Sequence, residues 1–253
     1  MRKTMLILPG VFALSFAALA HPPAAIPAYV TTAIHDPARQ ADAANDARRR
    51  LAAVMTFTEV KPGDKVMELV PGSGYWTRVF SAIVGSRGHV YSVWPNEMAK
   101  FSAKSYAEWQ TLVATPHYAN VSLLPQPAAD LSTPEPVDVV FTSQNYHDYH
   151  DPFMGPVNMP AFDKRVYAVL KPGGLFVIVD HVAPAGSGIS DTNTLHRIDP
   201  AVVKREVEAA GFVFDGESEA LRNPADPHTA SVFDKSIRGH TDQFIYRFRK
   251  PRS

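Results

Sequence analysis

The stretch Val66-Met67-Glu68-Leu69-Val70-Pro71-Gly72-Ser73-Gly74 constrains the fold of this chain more than any other. A short apolar run follows the turn Lys61-Pro62-Gly63-Asp64, carries one acid at its middle, and ends in two glycines spaced one apart. From Tyr75 onward, Val79, Phe80, Ile83 and Val84 recur at helical spacing. The order is strand, glycine turn, helix. In an α/β sheet such a turn sets bare backbone N–H groups and a helix N-terminus beside any ligand at the strand's C-terminal edge. An acid just ahead of the turn can accept hydrogen bonds from a ligand's hydroxyl or ammonium group. Because a Gly-x-Gly pair also serves simply to join a strand to a helix, the rest of the chain decides.

The alternation continues downstream. Gly85 to Gly88 turns into a second strand, His89 to Val93, which ends at Trp94-Pro95-Asn96-Glu97. A helix follows over about Met98 to Ala114, with Phe101, Tyr106, Trp109, Leu112 and Val113 on its apolar side. Asn120 to Leu124 reads as a third strand and Val137 to Phe141 as a fourth, the latter apolar enough to be buried on both faces. A helix with Phe162, Val166, Val169 and Leu170 leads through Lys171-Pro172-Gly173-Gly174 to a fifth strand, Leu175 to Val179. Pro200 to Ala210 is a further helix, Phe212 to Asp215 a sixth strand and Phe244 to Phe248 a seventh. Strands alternating with helices imply a largely parallel sheet with right-handed crossovers. Residues 36–253 read as one domain, preceded by an extended lead-in over 21–35. Its first helix is expected from Asp36-Pro37 to about Met55, with Arg48-Arg49-Arg50 as a solvated face or with one arginine folded over the ligand cleft.

Charge and targeting narrow the function. Lysine plus arginine equals aspartate plus glutamate at 25 each, so no global field favours nucleic acid or anionic membrane. With zero cysteines, disulfides, zinc–thiolate sites and thiol catalysis are excluded. Arg2 and Lys3, the apolar run from Met5 to Leu19, and Ala18-Leu19-Ala20 read as a signal peptide over 1–20 cleaved after Ala20, which predicts a periplasmic or secreted protein. The run is short for a membrane anchor, so no span is expected after cleavage.

These motifs together resemble the class I S-adenosylmethionine-dependent methyltransferase family. The resemblance rests on Val66 to Gly74, on Leu170-Lys171-Pro172-Gly173-Gly174-Leu175 ahead of the fifth strand, and on Ala210-Gly211-Phe212 ahead of the sixth. It is closer still to a group of exported bacterial methyltransferase-like proteins, through Asn145-Tyr146-His147-Asp148, His196-Arg197-Ile198-Asp199 and Arg238-Gly239-His240-Thr241-Asp242. The resemblance implies a Rossmann-like, seven-stranded, mostly parallel sheet with strand seven antiparallel and helices on both faces. It also implies S-adenosylmethionine as cofactor, held by Glu68, Val70, Gly72, Gly74, Tyr75, Trp94 and Asn145. Glu68 would take the amino-acid part, Trp94 the ribose or adenine, and Asn145 the sulfonium end. Three positions depart from the family: Val70 replaces a glycine, Trp94 replaces the acid that holds the ribose hydroxyls, and Pro127 replaces an acid near the adenine, with Asp130 displaced. Glu97 or Asn96 could stand in for the ribose acid if the chain bends back.

Ligands of open parallel sheets bind outside the strand C-termini. That rule collects Asn145, His147, Asp148, His150 and Asp151 after the fourth strand, Asp180 and His181 after the fifth, and His196 and Arg197 beyond. Three uses are open. His147 or His181 could be a general base oriented by Asp148 or Asp180. His147, His150 or His181 could join a carboxylate on a metal. The histidines could also simply cap a polar loop. The catalytic candidates are His147, Asp148 and His181, and no metal ligand is assigned, because His-x-x-His in a loop names no metal. The segment 219–242 between strands six and seven is far longer than a hairpin loop and is expected to fold over the cleft as a lid. The leading reading is an exported methyltransferase acting on a small-molecule or protein acceptor. A non-catalytic binding protein of the same fold is the alternative, with a metal-dependent hydrolase behind both.

Overall fold

The computed structural model describes residues 25–252. The signal peptide read over 1–20 lies outside the described residues. Strands β1 (Lys65–Leu69), β2 (His89–Pro95), β3 (Val121–Gln126), β4 (Val137–Ser143), β5 (Leu170–His181), β6 (Val213–Ser218) and β7 (Gln243–Arg249) form one sheet. Its order is β3-β2-β1-β4-β5-β7-β6. β1 to β5 pair in parallel, and β7 runs antiparallel to both β5 and β6. The chain moves outward from β1 to β3, then returns to lay β4 against the other side of β1. That reversal makes the C-terminal ends of β1 and β4 the topological switch point, where open α/β sheets hold their ligands.

Alternation along each strand distributes the side chains. Val66 of β1, Val90 and Trp94 of β2, Val139 and Phe141 of β4, and Val177 and Val179 of β5 face one apolar layer. On that side lie α1 (Ala28–Ile34), α2 (Leu51–Thr58), α3 (Tyr75–Val84) and α4 (Ala99–Val113). Met67, Leu69, Val93, Val140, Phe176 and Ile178 face the opposite layer. Residues of α5 (Met159–Val169) and α7 (Pro200–Ala209) pack there. Between these two helices in sequence, α6 (Thr192–Leu195) is a single turn beyond β5. Helix starts follow local chemistry: the Asn158 carboxamide accepts from Ala161 N at 3.0 Å and the Asp199 carboxylate from Ala201 N at 2.9 Å. A proline in the first turn of each fits its missing N–H.

The structure corrects three expectations. Part of the lead-in is helical, as α1. The helix expected from Asp36 to Met55 is broken into short 3-10 turns, Pro37–Arg39 and Ala43–Asn45, before α2. Arg50 takes φ 48° at the α2 N-cap, so the backbone reverses hand where a continuous helix was read. Phe101 does not join the buried face of α4: Ser102 leaves helical geometry (φ −134°, ψ 20°), and Phe101 stays 70% exposed.

The 219–242 segment is fastened at several points. The fully buried Arg197–Asp226 pair is bidentate, at 2.9 and 3.1 Å. Asp242 N donates to Asp226 Oδ2 at 2.7 Å, and the Asp242 carboxylate accepts from Asn223 N and from Arg222. Asp226→Ala leaves the Arg197 guanidinium buried without its counter-charge, so unfolding in urea is expected to show a loss on the order of 3–5 kcal/mol. A loss below about 1 kcal/mol would mean that the pair is not what secures this segment.

Candidate functional site

A cavity of about 650 Å³ opens at the β1/β4 switch point. β1 and its turn contribute Glu68, Val70, Gly72 and Ser73, and α3 contributes Tyr75 and Trp76. Gln144, Asn145, His147 and Asp148 follow β4, His181 ends β5, and Asn193 and His196 belong to the α6 turn. Met98, Phe101 and Phe153 line one side, and Val232 and Phe233 of the long segment another. The segment therefore lies over the cavity, as a lid would.

Glu68 sits at the charged end. Parity turns it to the α3 side of the sheet, where the Thr77 hydroxyl donates to its carboxylate. Only 2% exposed, Glu68 has its pKa pushed up by burial to about 7, against the smaller opposing effects of the Thr77 hydrogen bond and the charges of Arg78 and Arg49. Arg78 is held by Asp42 at 2.6 and 2.7 Å. Arg49 lays its guanidinium over the Tyr75 ring at 4.5 Å and the Trp76 ring at 5.6 Å, and burial depresses its pKa. Arg49 is thus the arginine that folds over the cleft. Tyr75 donates its hydroxyl to Asp46 at 2.6 Å.

Three non-glycine residues with left-handed backbone line this cavity: Val70 (φ 52°), Gln144 (φ 66°) and His196 (φ 54°). Such conformations cost on the order of 1–3 kcal/mol each and persist where surrounding structure over-determines them. At Val70, where the sequence resemblance implies a glycine, the backbone keeps the conformation that favours glycine despite a β-branched side chain.

The imidazole side is organised by Asp180, fully buried at the end of β5. Its Oδ1 accepts from His147 Nδ1 at 2.8 Å and from His181 N at 2.8 Å, and its Oδ2 accepts from His147 N at 2.9 Å. His147 Nε2 lies 3.2 Å from Asp148 Oδ1 and 3.3 Å from His196 Nδ1. Burial alone would lower the His147 pKa, but the charge of Asp180 and hydrogen bonds to Asp148 and Asp180 raise it to about 10. Asp148 lies far below the usual carboxylate range, because its hydrogen bonds to His147 and His196 outweigh its own burial. His181 differs: burial lowers it to about 4, and its Nδ1 meets the Thr241 hydroxyl at 2.8 Å. Near neutral pH, with no other ligand, His147 is an imidazolium between carboxylates and has no lone pair to act as a base. His181 is neutral.

The structure brings Glu68, Val70, Gly72, Tyr75, Asn145, His147, Asp148 and His181 to one cavity. It places Trp94 and Gly74 elsewhere. Trp94 shares its strand face with Val90 and Ser92, so its ring is buried under α4 against Tyr106. Gly74, at φ 77°, stands under the Trp109 indole, where a Cβ would meet ring carbons at 2.7 Å, and it serves close packing. Asn145 spends its amide on Asp148 Oδ2 at 2.8 Å. Glu97 accepts from Ala128 N at 2.9 Å and Asp130 pairs with Arg165 at 2.6 Å, so neither departed acid is replaced at the cavity. Arg197 is structural, and His150 turns toward Glu206, 3.2 Å away. Gln144 was not singled out from sequence, and a positive φ leaves no mark in a glutamine. Phe153 and Phe233 were missed although aromatic residues in long loops are a usable signal.

Residues 27–124 match the family model of protein-L-isoaspartate(D-aspartate) O-methyltransferase. Protein-L-isoaspartate O-methyltransferase of Methanosarcina mazei is 30% identical over 140 residues, covering 54% of this chain and 47% of that protein. The chain thus spans about half the length of that curated relative. Among solved structures, a SAM-dependent methyltransferase from Aquifex aeolicus superposes with TM-score 0.53 at 17% identity, over 87% of this chain and 96% of that one. The glycopeptide N-methyltransferase MtfA, complexed with sinefungin, superposes with TM-score 0.54 at 16% identity, over 81% and 85%. In architecture the chain has the Rossmann-like fold of SAM-dependent methyltransferases, and over residues 27–124 its sequence is similar to the isoaspartate O-methyltransferase family.

The Glu68 environment has a measurable consequence. The folded state keeps this proton up to about pH 7, whereas the unfolded chain releases it near the ordinary value of 4.5. Stability therefore falls as pH rises between those values, by on the order of 3 kcal/mol from this group. Glu68→Gln still accepts the Thr77 hydroxyl and removes that slope. Urea unfolding at the two ends of the window should show the variant gaining on the native chain by that amount as pH rises, and a constant difference would contradict the assignment.

Proposed function

We propose that this chain binds S-adenosylmethionine in the switch-point cavity and methylates a small-molecule or protein acceptor, after export directed by its N-terminal apolar run. The observation that carries this reading is Glu68: a buried carboxyl group, with no ion pair among the described residues, lining a cavity beside a glycine turn. A carboxylate so placed is stabilised by a ligand that brings a cation, and the cofactor carries both an ammonium and a sulfonium. The cavity volume is in the range usual for small-molecule sites.

Bound S-adenosylmethionine supplies an electrophilic methyl group. This chain's own residues supply position and proton traffic. Glu68 takes the ammonium, the Gly72–Ser73 turn offers backbone beside it, and the Tyr75, Trp76 and Phe101 rings offer apolar contact. In the tautomer whose Nδ1–H donates to the Thr241 hydroxyl, 2.8 Å away, His181 keeps its lone pair on Nε2, and as a cavity-lining residue it is the group we assign to accept the acceptor's proton. His147 and Asp180 hold the shape of that wall. Neither Glu97 nor Asp130 is among the described residues that line the cavity, so affinity rests mainly on the charged end. Among the described residues no helix is long and apolar enough to cross a membrane. The balanced charge gives no reason to expect a nucleic-acid acceptor.

Calorimetric titration of the chain with S-adenosylmethionine is expected to give dissociation constants on the order of micromolar, abolished in Glu68→Ala. Since the ammonium selects the ionised carboxylate, binding below about pH 7 should release a proton. Affinity should strengthen as pH rises through that value, and Glu68→Gln should lose this coupling. Absence of heat at millimolar ligand would reject the reading.

A further inference from the structure

We propose that His147, Asp148 and His196 form a binding site for one divalent transition-metal ion in the cavity wall. Their facing atoms make a compact triangle. His147 Nε2 lies 3.2 Å from Asp148 Oδ1 and 3.3 Å from His196 Nδ1, and His196 Nδ1 lies 3.7 Å from Asp148 Oδ1. Imidazole and carboxylate ligands sit about 2.0–2.2 Å from such ions, which sets tetrahedral ligand–ligand separations of roughly 3.3–3.6 Å. The triangle matches those edges to within about 0.1 Å. A proton on His147 Nε2 can be given to Asp148 or to His196, but it cannot satisfy both. A cation between the three atoms satisfies all of them.

Supporting hydrogen bonds aim each donor inward. Asp180 accepts from His147 Nδ1, which leaves Nε2 as the coordinating nitrogen, an arrangement common behind metal-bound histidines. Asn145 donates to Asp148 Oδ2 at 2.8 Å and leaves Oδ1 toward the triangle. The parallel bridge between Val182 and Ile198 carries the α6 turn back to the end of β5. His196 is held there in a left-handed conformation, its ring packed edge-on against Phe233 at 4.8 Å.

Charge also calls for a cation. Asp148, Asp180 and the buried Asp151 surround the two imidazoles. Among the described residues the Asp151 carboxylate has no well-formed hydrogen bond; the Thr192 hydroxyl lies close enough to ease its charge but is directed to Ile189 O at 3.1 Å. Two imidazoles and one carboxylate suit zinc, iron, cobalt or manganese ions better than magnesium or calcium. All three ligands line the cavity, so the remaining coordination positions face its interior, as in catalytic rather than structural sites. The inference does not depend on the methyl donor.

The test uses the whole chain, free of any affinity tag, stripped by chelator and titrated with Co²⁺ and then Zn²⁺. The expected result is one visible ligand-field spectrum saturating at about one Co²⁺ per chain and displaced by Zn²⁺. His196→Gln and Asp148→Asn should each weaken binding by about 100-fold or more, and Asp180→Asn by about 10- to 100-fold. His117→Gln, at an exposed histidine bound to Asp36, should bind as the native chain does. His196 is partly exposed, so its variant serves even if a buried substitution fails to fold. No Co²⁺ spectrum, or a spectrum that survives unchanged in both His196→Gln and Asp148→Asn, would overturn the proposal.

Discussion

The Asp180 carboxylate is the contact on which the working edge of the sheet depends. It is fully buried, yet it receives three N–H groups, two from His147 in the segment after β4 and one from the neighbouring His181 at the end of β5. A buried carboxylate without donors would be strongly unfavourable. Here that cost is offset by drawing the segment after β4 onto the end of β5. His147 and His181 take their places from this one anion, and His196 reaches the same place through the strand-like bridge just beyond it. Removing the anion would leave three donors and two rings without a reason to converge.

A second constraint is strand parity. β1 alternates Val66 and Glu68 toward α3 with Met67 and Leu69 toward the other layer. Glu68 therefore reaches the cavity from beneath the glycine turn, with Thr77 and the arginines of the helical side as neighbours. The same counting sends Trp94 into the core. The ligand edge is built by the last residues of β1, β4 and β5 and by the segments that follow them, and residues deeper in the strands pack helices.

Much of this was legible in advance. The strand–turn–helix order around Gly72 and the alternation of strands and helices predicted six of the seven strands to within three residues of their observed ends, because those signals are local; β5 starts five residues early and takes in the Lys171–Gly174 stretch that was read as a turn. The antiparallel direction of β7 came from the family resemblance, whereas its place between β5 and β6 is seen only in the structure. Trp94 was legible too, had the parity from Val90 and Ser92 been applied to it. Other features were not. The break at Arg50 and the left-handed turns at Gln144 and His196 depend on tertiary contacts that no residue type announces. The meeting of His147 with His196 spans 49 positions and needs the topology first. Arg49 was one of three arginines with equal claims, and packing against Tyr75 and Trp76 chose it.

The aromatic residues whose place at the cavity was not foreseen lie where a ligand would enter. Phe101 is 70% exposed, Phe233 is 57% exposed, and Phe101 meets Phe153 edge to face at 5.7 Å. Such a mouth is greasy before it is charged. A molecule passing it trades hydration for ring faces, so flat, weakly hydrated compounds gain most from the passage and sugars gain least. Selection of what reaches Glu68 and the imidazoles thus begins at the threshold, several side chains before any bond-making atom is met.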